Sequence, residues 1–318
     1  MTVTPASPGA QGVRTSLVRT PSVRSRFEGG IKVALFAAAA VSVATTTAIV
    51  VSLAVETFSF FKEVPIGDYL FGTKWTPLLR EQQQSFGVLA LIWGTIYYTL
   101  IALIVAVPLG LLCAVYLAEY APRRVAKVVK PVLEVLAGVP TIVFGFFALT
   151  FFTPEILRGA LDIQVGQFNA LSAGLIMGLL VLPTIASVGE DAMTSVPASL
   201  REGAFGLGAS KLQTSLRIVF PAALSGIVAA LILGASRAVG ETVIVLVAGG
   251  QTAQLGLDPR ESYQSMAAFI ASVATGDAPT GSIEYKTIFV VGFTLFVMTL
   301  VLNLASIGLV RRFRQVYE

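Results

Sequence analysis

The sequence predicts an all-α integral membrane protein with six transmembrane helices. Three observations predict it. Of 318 residues, 55% are hydrophobic and 13% charged, whereas an ordinary soluble domain carries about 25% charged residues. Apolar runs of about 18 residues or more recur, the length that crosses roughly 30 Å of hydrocarbon. Lysine and arginine are dense in alternate connecting segments and sparse in the others, the signature of a chain that passes repeatedly from one side of a membrane to the other.

Residues 1–30 are rich in Ser, Thr, Pro, Gly and Arg and read as a disordered basic cytoplasmic tail. The apolar segment that follows is too long for a signal-peptide core and reads as a retained anchor. Within 31–318, spans are expected at about 31–61, 88–119, 131–153, 171–190, 218–248 and 286–310, joined by external loops at 62–87 and 249–285 and a cytoplasmic loop at 191–217. Pro108, Pro140 and Pro183 fall in or near these runs, where neighbouring helices can satisfy the carbonyls that a proline frees.

Orientation follows from the basic residues. With the N-terminus inside, the inner segments hold Arg14, Arg19, Arg24, Arg26, Lys32, Arg123, Arg124, Lys127, Lys130, Arg201, Lys211, Arg217, Arg311, Arg312 and Arg314. The outer segments hold Lys62, Lys74, Arg80, Arg158, Arg260 and Lys286. This bias places both termini in the cytoplasm.

In the first external loop, Tyr69, Phe71 and Trp75 suit the membrane interface, with an external partner as the alternative. In the second, residues 265–274 are apolar but too short to span, and predict a short external or re-entrant helix. Gly174 and Gly178 form a small-xxx-small pair that lets another helix approach closely. Cys113 stands alone, which excludes an internal disulfide and a cysteine-rich metal site and reads as a small buried apolar residue. There is no histidine, so a His-based proton pump or metalloenzyme is excluded. The modest net charge of +4 gives no sign of nucleic-acid binding.

The segment at 190–223 predicts two short helices. Ser195 and Pro197 mark a start, and Leu200, Ala204 and Leu207 then recur at helical spacing to make an apolar face that ends at Gly208. Ser210 and Gln213 are spaced as a capping box for the second helix. The apolar face either meets a partner or packs on the ends of the chain's own spans.

This stretch carries a resemblance. Glu202, Gly203, Ala204, three residues, Gly208, nine residues, Ile218, Val219, Phe220 and Pro221 resemble the EAA loop of bacterial ABC importer permeases, with Gly203 and Phe220 as departures. The glycine should soften the first helix by up to about 1 kcal/mol. The blocks at 91–122, 130–149, 200–211 and 234–243, together with the first external loop, are similar to the phosphate-specific permeases of the PstC family, with similarity from about residue 55 to the end. The resemblance implies a type I importer architecture in a bacterial cytoplasmic membrane, with Leu200, Glu202, Gly203, Ala204, Leu207 and Gly208 seated in a groove of an ATPase. It implies a heterodimer with a PstA-like second permease, a PstB-like ATPase dimer carrying ATP and Mg, and an external PstS-like phosphate-binding protein.

The other feature that demands a reason is GASRAVGETV at 234–243, which sets Arg237 and Glu241 in an otherwise apolar run. An arginine at the centre of a span costs roughly 2.5–3.5 kcal/mol, so an intramembrane ionisable pair marks a functional site by default. Arginine suits an oxyanion because its planar fork matches two oxygens and stays charged. Arg237 is therefore the expected phosphate contact, as the resemblance also implies, with Ser236 and Thr242 as possible hydroxyl donors. Glu241, one turn on, is expected on the same helix face with its Cβ about 5–6 Å away, either holding Arg237 in its working rotamer or forming a structural ion pair. Arg237 lies sixteen residues past Pro221, about 24 Å along a continuous helix, so anion contact and ATPase contact are expected on one rigid element. Glu134 is a lesser candidate and reads more simply as an interfacial residue beside Lys130.

The chain has no G-x-x-x-x-G-K-[ST] motif, so no ATP or other cofactor is expected on it. An ABC permease for another oxyanion, molybdate or sulfate, is the alternative function. An ion-coupled secondary transporter fits less well, for want of inverted repeats.

Overall fold

The computed structural model describes residues 23–313, so the predicted tail at 1–22 lies outside the described residues. The chain divides between Val51 and Ser52 into two units. The first holds most of α1 (Val23–Phe60), whose side chains from Gly29 onward are exposed almost throughout the unit. Residues 23–30, expected in the tail, are the first turns of this helix.

The second unit is helical. It comprises the end of α1, then α2 (Ile66–Phe71), α3 (Leu89–Tyr120), α4 (Arg123–Gly138), α5 (Thr141–Ala160), α6 (Ala170–Thr194), α7 (Ala198–Gly206), α8 (Lys211–Ala222), α9 (Leu224–Val239), α10 (Met266–Ala274) and α11 (Ile283–Phe313). Among the described residues, five helices are long and apolar enough to cross a membrane, and a sixth span is made if α8 and α9 count as one bent pair.

The interior is the α3–α6–α9 group, with α6 at its centre. Small residues make this possible. Ala102, Ala106, Gly110 and Ala114 recur every fourth residue and are all buried, so they form one smooth stripe on α3. Gly174 and Gly178 of α6 face this helix as the small-xxx-small pair predicts: a Cβ on Gly178 would stand 2.9 Å from the Ala102 carbonyl oxygen. Gly110 in turn lies against Ile185, and Gly234 of α9 lies against Ile185 and Val181. Close backbone approach replaces the hydrophobic drive that lipid cannot supply.

Two predicted spans differ from what forms. The third, expected at 131–153, is broken where Val139 and Pro140 turn extended, at ψ 130° and 133°. Proline cannot donate to the ladder and disfavours a helical residue before it, so α4 ends there and the membrane-crossing helix is α5. The fifth, expected as one rod over 218–248, bends by 71° between α8 and α9, next to Pro221. It stops at Val239, with Gly240 as its C-cap, and helical geometry resumes at Val243.

The first external loop is less exposed than its sequence suggests. Tyr69 and Trp75 are buried in a cluster of edge-on rings with Phe60, Phe61, Phe86 and Phe269, while Phe71 is 78% exposed. The Tyr69 hydroxyl reaches Thr294 Oγ1 at 2.7 Å and donates to the Val290 carbonyl at 3.2 Å. Burial pushes its phenol above the ordinary tyrosine range, and the Thr294 bond opposes that. Two of the three expected interface aromatics are thus core residues, because a compact loop of this size must supply its own apolar interior. The short helix expected at 265–274 forms as α10, capped by Ser265, with Met266, Phe269 and Val273 in the same core. Trp93, Tyr97 and Tyr98 of α3 tie down the loop before it through the carbonyls of Gly256, Leu257 and Tyr263.

Candidate functional site

Arg237 sits in the last turn of α9, where a cation complements the helix dipole. Its Nη1 donates to Thr184 Oγ1 of α6 at 3.0 Å. Among the described residues this is its one side-chain hydrogen bond, and it joins no ion pair. Thr184 in turn lines a cavity of about 340 Å³ between α4 and α6, together with Lys130, Glu134, Ser187, Glu190 and Asp191.

Glu241 does not partner Arg237. α9 ends between them, at Val239 with Gly240 as its C-cap, and among the described residues no ion pair joins the two. The buried Glu241 carboxylate instead accepts from the backbone N–H groups of Val243 and Ile244 at 3.0 and 3.2 Å, through the same Oε1. It thereby satisfies two donors at the start of the helical turn that leads into the π-helix Val245–Gly249. The helix break accounts for the pair's placement: each charge complements the helix end beside it. Of the hydroxyl candidates, Thr242 donates to the Gly240 carbonyl at 3.2 Å and Ser236 to Asn303 Oδ1 of α11 at 3.3 Å. Ser236 and Arg237 are neighbours on α9, whereas Thr242 belongs with Glu241 to the interruption.

At the far end of α9 the chain forms the predicted helical hairpin. Ser210 and Gln213 make a capping box in both directions. Gly208 turns the chain at φ +81°, a conformation that favours glycine. Ala204 is buried, and Leu200 packs against the apolar cluster that includes Met193, Val196 and Val219. Leu207 departs from the expected face: as the C-cap residue of α7 it has left the helical register and is 92% exposed. Glu202 and Gly203 are exposed as well, as are Phe205, Leu212 and Leu216, so the hairpin presents a second apolar surface that the chain itself leaves uncovered.

Sequence reasoning missed the group that fastens this hairpin. Arg201, exposed by 20% at its side chain, bonds Glu119 at 3.0 Å and donates to the Met193 and Val196 carbonyls at 2.8 and 2.5 Å. Lys211 stands 5.0 Å above the Tyr120 ring. Both contacts reach the end of α3. A second fastening joins Lys130 of α4 to the buried Glu190 of α6 at 2.5 Å, and Glu190 raises the lysine above its ordinary value. The one charge near the end of α3, Glu119 in an otherwise apolar run, is the only local signal, and nothing beside it names Arg201 as the partner.

A bent helix that carries an arginine with a single side-chain hydrogen bond, a small-residue interior and an exposed helical hairpin belong to a polytopic helical membrane protein. Residues 106–316 match the family model described as the binding-protein-dependent transport system inner membrane component, and the chain belongs to that family. It is 34% identical to a probable ABC transporter permease protein, YqgH, of Bacillus subtilis, over 83% of this chain and 84% of that one. It is 38% identical to the phosphate transport system permease protein PstC 1 of Mycobacterium tuberculosis, over 71% and 73%. The fold is similar to that in a crystal structure of a bacterial ABC transporter involved in alginate import, with a TM-score of 0.60 at 17% identity, over 91% of this chain and all of that one.

Proposed function

We propose that this chain is the phosphate permease subunit of an ATP-driven importer, and that Arg237 is its anion contact. The observation that carries the reading is the state of Arg237: a fixed charge, half-buried on a membrane-spanning helix, held by a single neutral hydroxyl. A cation withdrawn from water among membrane-spanning helices normally takes a carboxylate, because an unpaired charge in low dielectric is expensive. Here the remaining donors are left for an incoming oxyanion, which they match in fork geometry. Similarity to relatives named as phosphate transport permeases supports phosphate over molybdate or sulfate.

Drive comes from outside the chain, on an ATPase dimer of the PstB type that holds ATP and Mg. The exposed hairpin, with Glu202, Gly203, Leu207 and Gly208 at its tip and Leu200 and Ala204 anchoring it, is the surface for that ATPase, on the cytoplasmic side that the basic residues define. A PstA-like permease completes the pore and a PstS-like protein delivers phosphate from outside. Because α8 and α9 meet at 71°, hairpin and arginine do not move as one rod. Displacement of the hairpin reaches Arg237 through α6, which α7 is fastened to and which bears Thr184.

The test is uptake into proteoliposomes by the assembled transporter, with phosphate, molybdate and sulfate supplied separately and ATP inside. Phosphate should be carried in preference. Preferred transport of either other anion overturns the substrate, and equal uptake without ATP overturns the ATP-driven reading.

A further inference from the structure

α4 is a helix unlike its neighbours. It links the ends of two spanning helices, α3 and α5, and is set off from both by extended residues, Ala121 and Pro122 before it and Val139 and Pro140 after it. It therefore lies at a membrane surface, on the side that bears the hairpin, since Lys130 bonds the end of α6 and Arg201 bonds the end of α3. None of its residues is fully buried, and it is strongly amphipathic.

At 100° per residue its side chains fall into three stripes. Val125, Val129, Leu133 and Leu136 are half-buried and form the packed stripe. Val128, Val132 and Val135 form a second apolar stripe that is 64%, 59% and 71% exposed. Arg124 flanks the valines, Lys127 and Arg123 continue the basic face away from them with Glu134 further along it, and among the described residues none of these three basic residues joins an ion pair, whereas Lys130 does.

Charge complementarity names the occupant. A helix lying in the interface puts its apolar stripe into the headgroup–acyl boundary while flanking cations extend to lipid phosphates. We propose that α4 is an anionic-phospholipid site, with Val128, Val132 and Val135 against acyl chains and Arg123, Arg124 and Lys127 on headgroup phosphates. Bound lipid would then hold α4, and with it the Lys130–Glu190 contact to α6, at one depth. This rests on membrane placement, not on which anion is carried, so it stands or falls separately from the phosphate reading.

The experiment uses the full chain purified with the subunits it assembles with. Native mass spectrometry compares retention of phosphatidylglycerol with phosphatidylcholine. The wild-type complex should prefer phosphatidylglycerol, and R123Q/R124Q/K127Q, at unchanged subunit composition, should lose roughly 100-fold of that preference. The charge-conserving R123K/R124K/K127R should keep most of it. Equal preference in wild type and the glutamine variant overturns the proposal, and so does loss of preference in the conserving variant. If the glutamine variant fails to assemble, a nitroxide at V132C, in a C113A background, decides. High oxygen collision in bilayers supports lipid contact, and shielding from both oxygen and a water-soluble relaxant means that a protein subunit covers the stripe and overturns it.

Discussion

Two arginines in this chain meet opposite fates. Arg201 is bound by a carboxylate and two backbone carbonyls, and Glu119, its partner, is itself only 7% exposed. Arg237 has one threonine hydroxyl. The same side chain is a fastening where its donors are satisfied by the fold and, in the function proposed above, a binding element where they are left over. The difference teaches that an arginine in a membrane protein is not functional by virtue of its position alone. What matters is how much of its hydrogen-bonding capacity the native structure has already used.

The largest expected effect tests the unspent arginine. Arg237→Ala should lower phosphate uptake by on the order of 100-fold, equivalent to about 3 kcal/mol, while the complex still assembles; Arg237→Lys should recover part of it, because an ammonium keeps the charge but not the fork. Normal uptake by the alanine variant would erase the contrast. Arg201→Ala should act on stability instead, at about 2–3 kcal/mol, because it strands the buried Glu119. A thermal or denaturant unfolding midpoint measures this, and an unchanged midpoint would mean that the fastening holds nothing.

Smaller effects sharpen the comparison. Glu241→Ala should destabilise by about 1 kcal/mol through the loss of two backbone bonds, with Glu241→Gln close to wild type because an amide oxygen still accepts. A large uptake loss in the glutamine variant at unchanged stability would show that the carboxylate acts on the anion after all. Thr184→Val should raise the KM for phosphate by about three- to fivefold with little change in maximal rate, since one hydrogen bond that orients Arg237 is removed. A fall in maximal rate alone would put Thr184 in the transport motion and not in binding.

Much of this was legible in local pattern. The capping box at Ser210 and Gln213, the end of the first short helix before Gly208 and the short helix at 265–274 are consequences of neighbours within a few residues and formed as read, and the glycine pair in α6 packs closely on α3 as its spacing predicts. The errors share a cause. A continuous apolar run was read as a continuous helix, yet Pro140, Pro221 and Gly240 end or bend helices without lowering hydrophobicity. The pairing of Arg237 with Glu241 was assumed from spacing and failed once the intervening backbone left the helix. Tyr69 and Trp75 were read as interfacial because amphipathic rings suit both an interface and a core, and sequence does not separate the two.

By itself the sequence determined that the chain is a helical membrane protein, where its apolar segments lie, and which stretch forms the protruding hairpin. These depend on composition and short-range periodicity, and lipid enforces them because backbone polar groups must be satisfied within each spanning helix. The tertiary structure alone decided which charges are spent. Arg237 and Thr184 are 53 residues apart and Arg201 and Glu119 are 82. No local pattern encodes such pairs, because they arise only when α6 brings its neighbours within hydrogen-bonding distance.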